Sequence, residues 1–282
     1  MHNHRGMSAL EQRPIVIAPS SGWRPIDLRE VWEYRELLAI FVWRDIKVRY
    51  RQTLLGVVWV VAQPLLTALI FTVLFNRMAK IDAGNVPYSL FIMVGLVPWS
   101  FFSAGVSASG NSLIGSSHLI SKVYFPRVIV PAASVLSGFV DMVVTVALVV
   151  VMTLVYRVGL GPQILFLPLA IAVAAVFAFG VGLWLSALNV EYRDVRVVIP
   201  FLLQLWMYAT PVVYPLHVVP ERYRWIAAIN PMTGIVETFR AAMLGGAVPW
   251  SALGYSVAVT LMVLVSGAYY FRRMERLFAD VL

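Results

Sequence analysis

The chain has 282 residues, 60% hydrophobic and only 13% charged, with a mean hydropathy of +0.81. A soluble domain carries about a quarter charged residues, so an integral membrane protein is implied. Cysteine is absent, which excludes disulfides and thiolate chemistry, and the net charge of +8 needs no nucleic acid, because anionic inner-leaflet lipid attracts the same basic segments.

Residues 1–26, with Pro14, Pro19, Pro25 and a Ser-Ser-Gly, read as a flexible tail. They lack the short apolar core and small-residue cleavage site of a removed signal peptide. Asp27 is an N-cap candidate. After it Leu28, Val31, Trp32, Leu38, Phe41 and Val42 recur at helical spacing among Arg29, Glu33, Arg35 and Glu36. The spacing predicts an amphipathic helix over 27–52, lying along the cytoplasmic membrane surface; a soluble helix packed on a partner is the alternative. The run Arg44, Lys47, Arg49 and Arg51 ends it. Four cations at the inner headgroup level suit lipid phosphates or a pyrophosphate-linked substrate, and they also set topology.

Residues 53–282 form the membrane domain. Crossing a hydrocarbon core of about 30 Å takes about 20 mostly apolar residues. Six stretches qualify, near 54–75, 88–113, 128–156, 164–188, 197–214 and 251–270. Sixteen of the 22 Lys and Arg then fall on the N-terminal side of the membrane, so the positive-inside rule puts both termini in the cytoplasm. The loop 115–126, GSSHLISKVYFP, predicts a helix of one or two turns, capped by Ser116 or Ser117 and ended by Pro126. Between the last two spans, 215–249 is too apolar for a solvated loop yet holds Glu221, Arg222, Arg224, Glu237 and Arg240. Asn230-Pro231 is a helix start and Gly245-Gly246 a stop. Two short helices dipping into the outer leaflet are expected. Such backbone survives there only when packed on protein or lining a wet cavity, which makes the segment a candidate gate.

No P-loop is present: none of the three lysines, Lys47, Lys80 and Lys122, follows a glycine. His2 and His4 lie in the tail, and His118 and His217 on opposite sides, so no metal cluster is expected. No paired carboxylates or nucleophile with a base emerge, and no catalytic residue is assigned. Asp141 is the one carboxylate in the middle of a span; it reads as an interior residue hydrogen-bonded to a neighbouring helix, with a place on a transport pathway as the alternative. Aromatic residues near span ends are interfacial anchors. Deeper ones such as Trp59 and Trp206 could also offer apolar faces to a sliding sugar polymer. No 20–50-residue repeat or inverted duplication appears, which argues against repeat-built secondary transporters.

Several motifs in order carry a resemblance. RDIKVRYRQTLLGVVWVVAQPL (44–65), SKVYFPR (121–127), ALNVEYRDV (187–195), TPVVYP (210–215) and NPMTGIVETFRAAMLG (230–245) together resemble the ABC-2 type permeases of cell-surface polysaccharide exporters, over residues 28–272. The resemblance implies an all-α membrane fold of six spans, with an N-terminal interfacial helix and re-entrant outer gate helices. It also implies a half-transporter in a bacterial inner membrane that pairs with a second copy and binds two copies of a separate ATPase. ATP and Mg²⁺ would belong to that ATPase, leaving this chain without cofactors. The segment 115–126 would be a coupling helix, with Leu119, Ile120, Val123, Tyr124 and Phe125 as apolar anchors and His118 and Lys122 as polar contacts. The substrate would be a polysaccharide on a polyprenyl diphosphate. Trp59, Phe71, Trp206, Tyr208 and Tyr214 would face its path. Arg44, Lys47, Arg49 and Arg51 would meet the lipid diphosphate or the ATPase, and Pro231, Glu237 and Arg240 would belong to the outer gate. A permease for a smaller lipid or drug, and a membrane-embedded glycan polymerase or ligase, are the competing readings.

Overall fold

The computed structural model describes residues 28–51, 56–82, 84, 86–192, 194–275 and 278; the tail 1–26 and the Asp27 cap lie outside them. Among the described residues every regular element is helical. Helix α1 (Leu28–Glu33) and α2 (Arg35–Arg51) are separated by a turn at Tyr34. Then come α3 (Gly56–Phe71), which continues as a π-helical segment Thr72–Met78, and α4 (Tyr88–Gly115). A single turn, α5 (Ser117–Ile120), precedes α6 (Ile129–Ser137) and α7 (Phe139–Val155), which join at Gly138. Helices α8 (Leu167–Glu191), α9 (Val195–Ala209), α10 (Arg224–Ile229), α11 (Pro231–Leu244) and α12 (Trp250–Met274) complete the order.

Five segments are long and apolar enough to cross a membrane: Val58–Met78, Tyr88–Gly115, Ile129–Val155, Pro162–Glu191 and Trp250–Met274. Of the six expected, the remaining one is the shorter apolar helix Val195–Ala209. The fifth expected span, 197–214, is the 15-residue helix α9, which at about 1.5 Å per residue reaches only about 22 Å. It stops because Pro211 follows Thr210. The residue before a proline is driven out of the α region, and Thr210 is extended at φ −98°, ψ 138°.

Helix α4 is the centre of the fold, packed on α3, α6, α7, α8, α9 and α11. From Leu90 to Phe102 only Ser100 is exposed. Its Phe102 ring stacks on Phe177 of α8 with centroids 5.0 Å apart. Helices α8 and α12 approach closely at Gly180, where a Cβ would lie 3.0 Å from the Leu264 backbone. A second apolar cluster gathers Phe41 of α2, Ile120, Phe125, Ile129, Leu183 and Phe271. It fastens α2 to the same end of the bundle as α5. Trp32 of α1 and Ile40, Trp43 and Val48 of α2 are left exposed.

Candidate functional site

A cavity of about 890 Å³ opens between α3, α4, α7 and α9, level with the middle of α3 and α4. Three of its wall helices carry an internal proline: Pro64 in α3, Pro98 in α4 and Pro200 in α9. Each lacks an N–H and crowds the carbonyl four residues earlier, which opens the helix at that turn. Trp59, Gln63 and Thr67, four residues apart on α3, share one face and line the cavity opposite Ser100, Ser103 and Ser107 of α4. The hydroxyls of Thr67 and Ser103 donate to carbonyls of their own helices, at 2.8 Å to Gln63 and 3.2 Å to Ser100. Their lone pairs remain able to accept. The result is a polar strip within otherwise apolar spans, offering weak, exchangeable hydrogen bonds.

Where α2 and α7 border the cavity, Asp141 of α7 accepts from both Arg49 and the Tyr50 hydroxyl of α2. Desolvation, then the hydrogen bond to Asp141, pushes the Tyr50 hydroxyl up to about 12, so it stays a donor at neutral pH. Asp141 is thus the interhelical hydrogen-bonding residue expected of it, and its partner is a cation from the predicted basic run. That run is divided. Arg44 pairs with Asp45 at 2.8 Å and lies over Phe41, Lys47 lies over Trp43, Arg49 is held by Asp141, and Arg51 is exposed.

Beyond the far end of α9 the chain turns through 210–214, and its carbonyls are capped from distant elements. Arg240 of α11, buried to 4% exposure, donates to Pro211 at 2.6 Å, to Val212, and to Glu237 at 2.7 Å. Its guanidinium lies 3.8 Å from the Phe91 ring centroid. Tyr88 donates to the Val213 carbonyl at 2.7 Å, and Asn230 to the Thr210 hydroxyl at 2.8 Å. Gly95 makes room for this lock, since a Cβ there would sit 2.6 Å from Arg240 Nη2 and from the Val212 carbonyl. Helix α11 starts at Pro231, with the Asn230 side chain accepting from the Met232 N–H at 3.0 Å, and ends at Gly245, φ 72°. It is buried along nearly its whole length against α4, α8 and α12, so it is an internal strut, and only the short turns before it are exposed.

Of the aromatic residues expected on a path, only Trp59 lines the cavity. Trp206 points inward, edge-on to Phe102 and Phe177 at 5.2 and 5.8 Å, with its N–H donating to Asn230 at 3.0 Å; it is half-buried. Phe71 is half-buried beside Phe75, Tyr208 is exposed, and Tyr214 donates to the Tyr208 carbonyl at 3.0 Å. Gln63, Thr67 and the three serines escaped the sequence reading. Their periodic spacing within apolar spans was the available signal.

At α5 the seven expected coupling residues divide. Ile120 and Phe125 turn inward, Phe125 meeting Phe41 edge-on at 5.5 Å. His118, Leu119, Lys122, Val123 and Tyr124 face outward. Burial, followed by the nearby Glu30 carboxylate that accepts from it at 3.1 Å, raises the Tyr124 hydroxyl pKa. Of the outward residues, Lys122, Val123 and Tyr124 line a hollow of about 300 Å³ together with Ile120, Ser121, Phe125 and Arg127.

The profile of the ABC-2 type transporter family matches residues 36–244, which hold the cavity, the Asp141 contact, the α5 turn and the Arg240 lock. The chain belongs to the ABC-2 type transporter family. This ABC-2 protein is therefore a multi-pass membrane permease and not an enzyme. It is similar to the O-antigen export system permease protein RfbA of Myxococcus xanthus, 31% identical over 254 residues, 88% of this chain and 96% of the relative. RfbA of Klebsiella pneumoniae is 29% identical over 250 residues, covering 88% and 95%. The polysialic acid transport protein KpsM of Escherichia coli is 24% identical over 243 residues, covering 84% and 92%.

Proposed function

We propose that this permease is the transmembrane subunit of an ATP-driven exporter that carries polyprenyl-diphosphate-linked polysaccharide across a bacterial inner membrane. The observation that carries the reading is the membrane-depth cavity, whose α3 and α4 walls present Gln63, Thr67 and serine hydroxyls beside Trp59. Aromatic and hydroxyl surfaces hold a sugar chain without a fixed register, so the chain can slide. The names of the RfbA and KpsM relatives support the same cargo class. Two copies would close the path between their α3 and α9 faces, and both termini would lie in the cytoplasm, where the charge bias puts them.

Energy comes from a separate P-loop ATPase holding ATP and Mg²⁺, two copies per complex. It would dock on the α5 turn, with Leu119, Val123 and Tyr124 as apolar contacts and His118 and Lys122 beside them. Ile120 and Phe125 join that turn to α2, α6 and α12, so a push on the turn reaches the bundle. The test is to purify the chain with the ATPase it binds, in proteoliposomes, and to measure ATP-dependent delivery of a polyprenyl-diphosphate glycan to the far side. Delivery that requires both subunits is expected, and Tyr124→Ala should lower it while leaving membrane insertion intact. A chain that binds no ATPase would remove the energy source and overturn the exporter reading; delivery of short lipids in place of glycan would favour the smaller cargo.

A further inference from the structure

Resting on that exporter reading, we propose that the path selects by charge: it admits uncharged glycans and rejects polyanionic ones. The names of the relatives do not decide this, since they include a transporter of polysialic acid, a polyanion. The cavity does. Among the described residues only two charged side chains line it, Arg49 and Asp141, and they are paired with each other. Helices α3 and α4 contain no Asp, Glu, Lys or Arg along their length; Arg77 enters only in the π-helical segment after α3, and α9 holds a single charge, Arg196 in its first turn. The four residues joining α2 to α3 are Gln52, Thr53, Leu54 and Leu55, also uncharged.

Elsewhere the sequence places cations freely, with 22 Lys and Arg against 14 Asp and Glu. Their absence from α3 and α4 is therefore local. A second copy related by two-fold symmetry would add the same lining and leave the path neutral. From Leu96 to Ser107 the α4 wall runs about 16 Å at about 1.5 Å per residue, so more than one sugar residue occupies it at once. A glycan with a carboxylate on every repeat would bring several anions together into this stretch. Each would leave bulk water for a low-dielectric site with no unpaired cation from the cavity walls, and the desolvation penalty would recur at every step. A neutral glycan exchanges water for the hydroxyl, amide and indole groups of the walls, so only the diphosphate, common to both cargoes, meets such a barrier.

The experiment uses the full chain with its ATPase in proteoliposomes. It offers two polyprenyl-diphosphate glycans of equal length, one a neutral hexose polymer and one with a hexuronic acid in each repeat. The neutral glycan should cross at least about tenfold faster, the ratio that a barrier difference of about 1.4 kcal/mol produces. Equal or faster passage of the acidic glycan would overturn the charge selection and leave the exporter reading standing; passage of neither would overturn both. Gln63→Lys, and independently Ser103→Lys on the facing wall, should each raise passage of the acidic glycan by at least about threefold, a fraction of that same barrier. An acidic-glycan rate unchanged in a variant that still inserts and still binds its ATPase would count against the proposal.

Discussion

The span Val58–Met78, made of α3 and its π-helical continuation, and the span of α4 are both apolar, yet in their most apolar stretches 6% of one and 78% of the other is buried within the chain. The difference separates two kinds of membrane helix. In lipid an apolar face need not find protein, because hydrocarbon solvates it as well as leucine does. Helix α4 nevertheless packs on six neighbours and carries the architecture. Helix α3 leaves Val58, Leu66, Leu69 and Ile70 exposed and adds a polar strip to one side. Stability is thus concentrated around α4, and the surface available for cargo or a second copy around α3.

The sharpest test of this division is Arg240→Met. The guanidinium joins α11 to the turn after α9 and to the Phe91 ring of α4, and its loss leaves buried carbonyls and Glu237 without a donor. The expected loss is about 3–5 kcal/mol, read as a large fall in the thermal midpoint of the purified chain in detergent. Next comes Gly95→Val, which forces the same lock apart without removing any polar group. Overpacking of about 1–3 kcal/mol is expected. A midpoint unmoved by either change would mean that α4 is not the scaffold described.

Much of the membrane architecture was legible because hydropathy and length specify spans, and the Asn230 cap with Pro231 marked the start of α11. What stayed hidden depended on contacts between residues far apart in sequence. The apolar run through Val212 and Val213 reads as helix. The carbonyls freed by Pro211 are instead satisfied by Tyr88 and Arg240, neither of which a local window contains. Trp206 looks like Trp59 in sequence; only the positions of Phe102, Phe177 and Asn230 turn it inward. Likewise Ile120 and Phe125 alternate with Leu119 and Tyr124 in one apolar turn, and the placement of Phe41 decides which pair is buried. Asp141 was conspicuous as a lone carboxylate, but its partner lies 92 residues earlier.

Between the scaffold and the open face sits the Asp141 contact, and its effect should be intermediate. Asp141→Asn removes the counter-charge of Arg49 at a partly exposed site, so about 1–2 kcal/mol is expected, less than for Arg240→Met. The same contact gives a pH signature. The Tyr50 hydroxyl is raised from 10.0 to about 12, so its contribution is fully present below pH of about 10. It is lost as the pH climbs to about 12, because the unfolded chain gives up that proton first. Thermal midpoints of the parent and of Tyr50→Phe, measured across this range, should converge at the alkaline end; a constant gap would show that the hydroxyl does not titrate against Asp141.

The smallest effect on folding should come from α3 itself. Leu69 is 59% exposed, so Leu69→Ala removes side-chain atoms that touch little else in the chain. The single-chain stability should move by no more than about 0.5 kcal/mol, against the several expected for Arg240→Met. If α3 is the face that meets a second copy, the same substitution should weaken the complex, seen as a shift from dimer towards monomer by mass measurement in detergent. The two readouts therefore separate the roles: an unchanged midpoint with weakened pairing is the expected result, whereas a midpoint that falls as far as for Gly95→Val would place α3 among the scaffold helices and dissolve the contrast with α4.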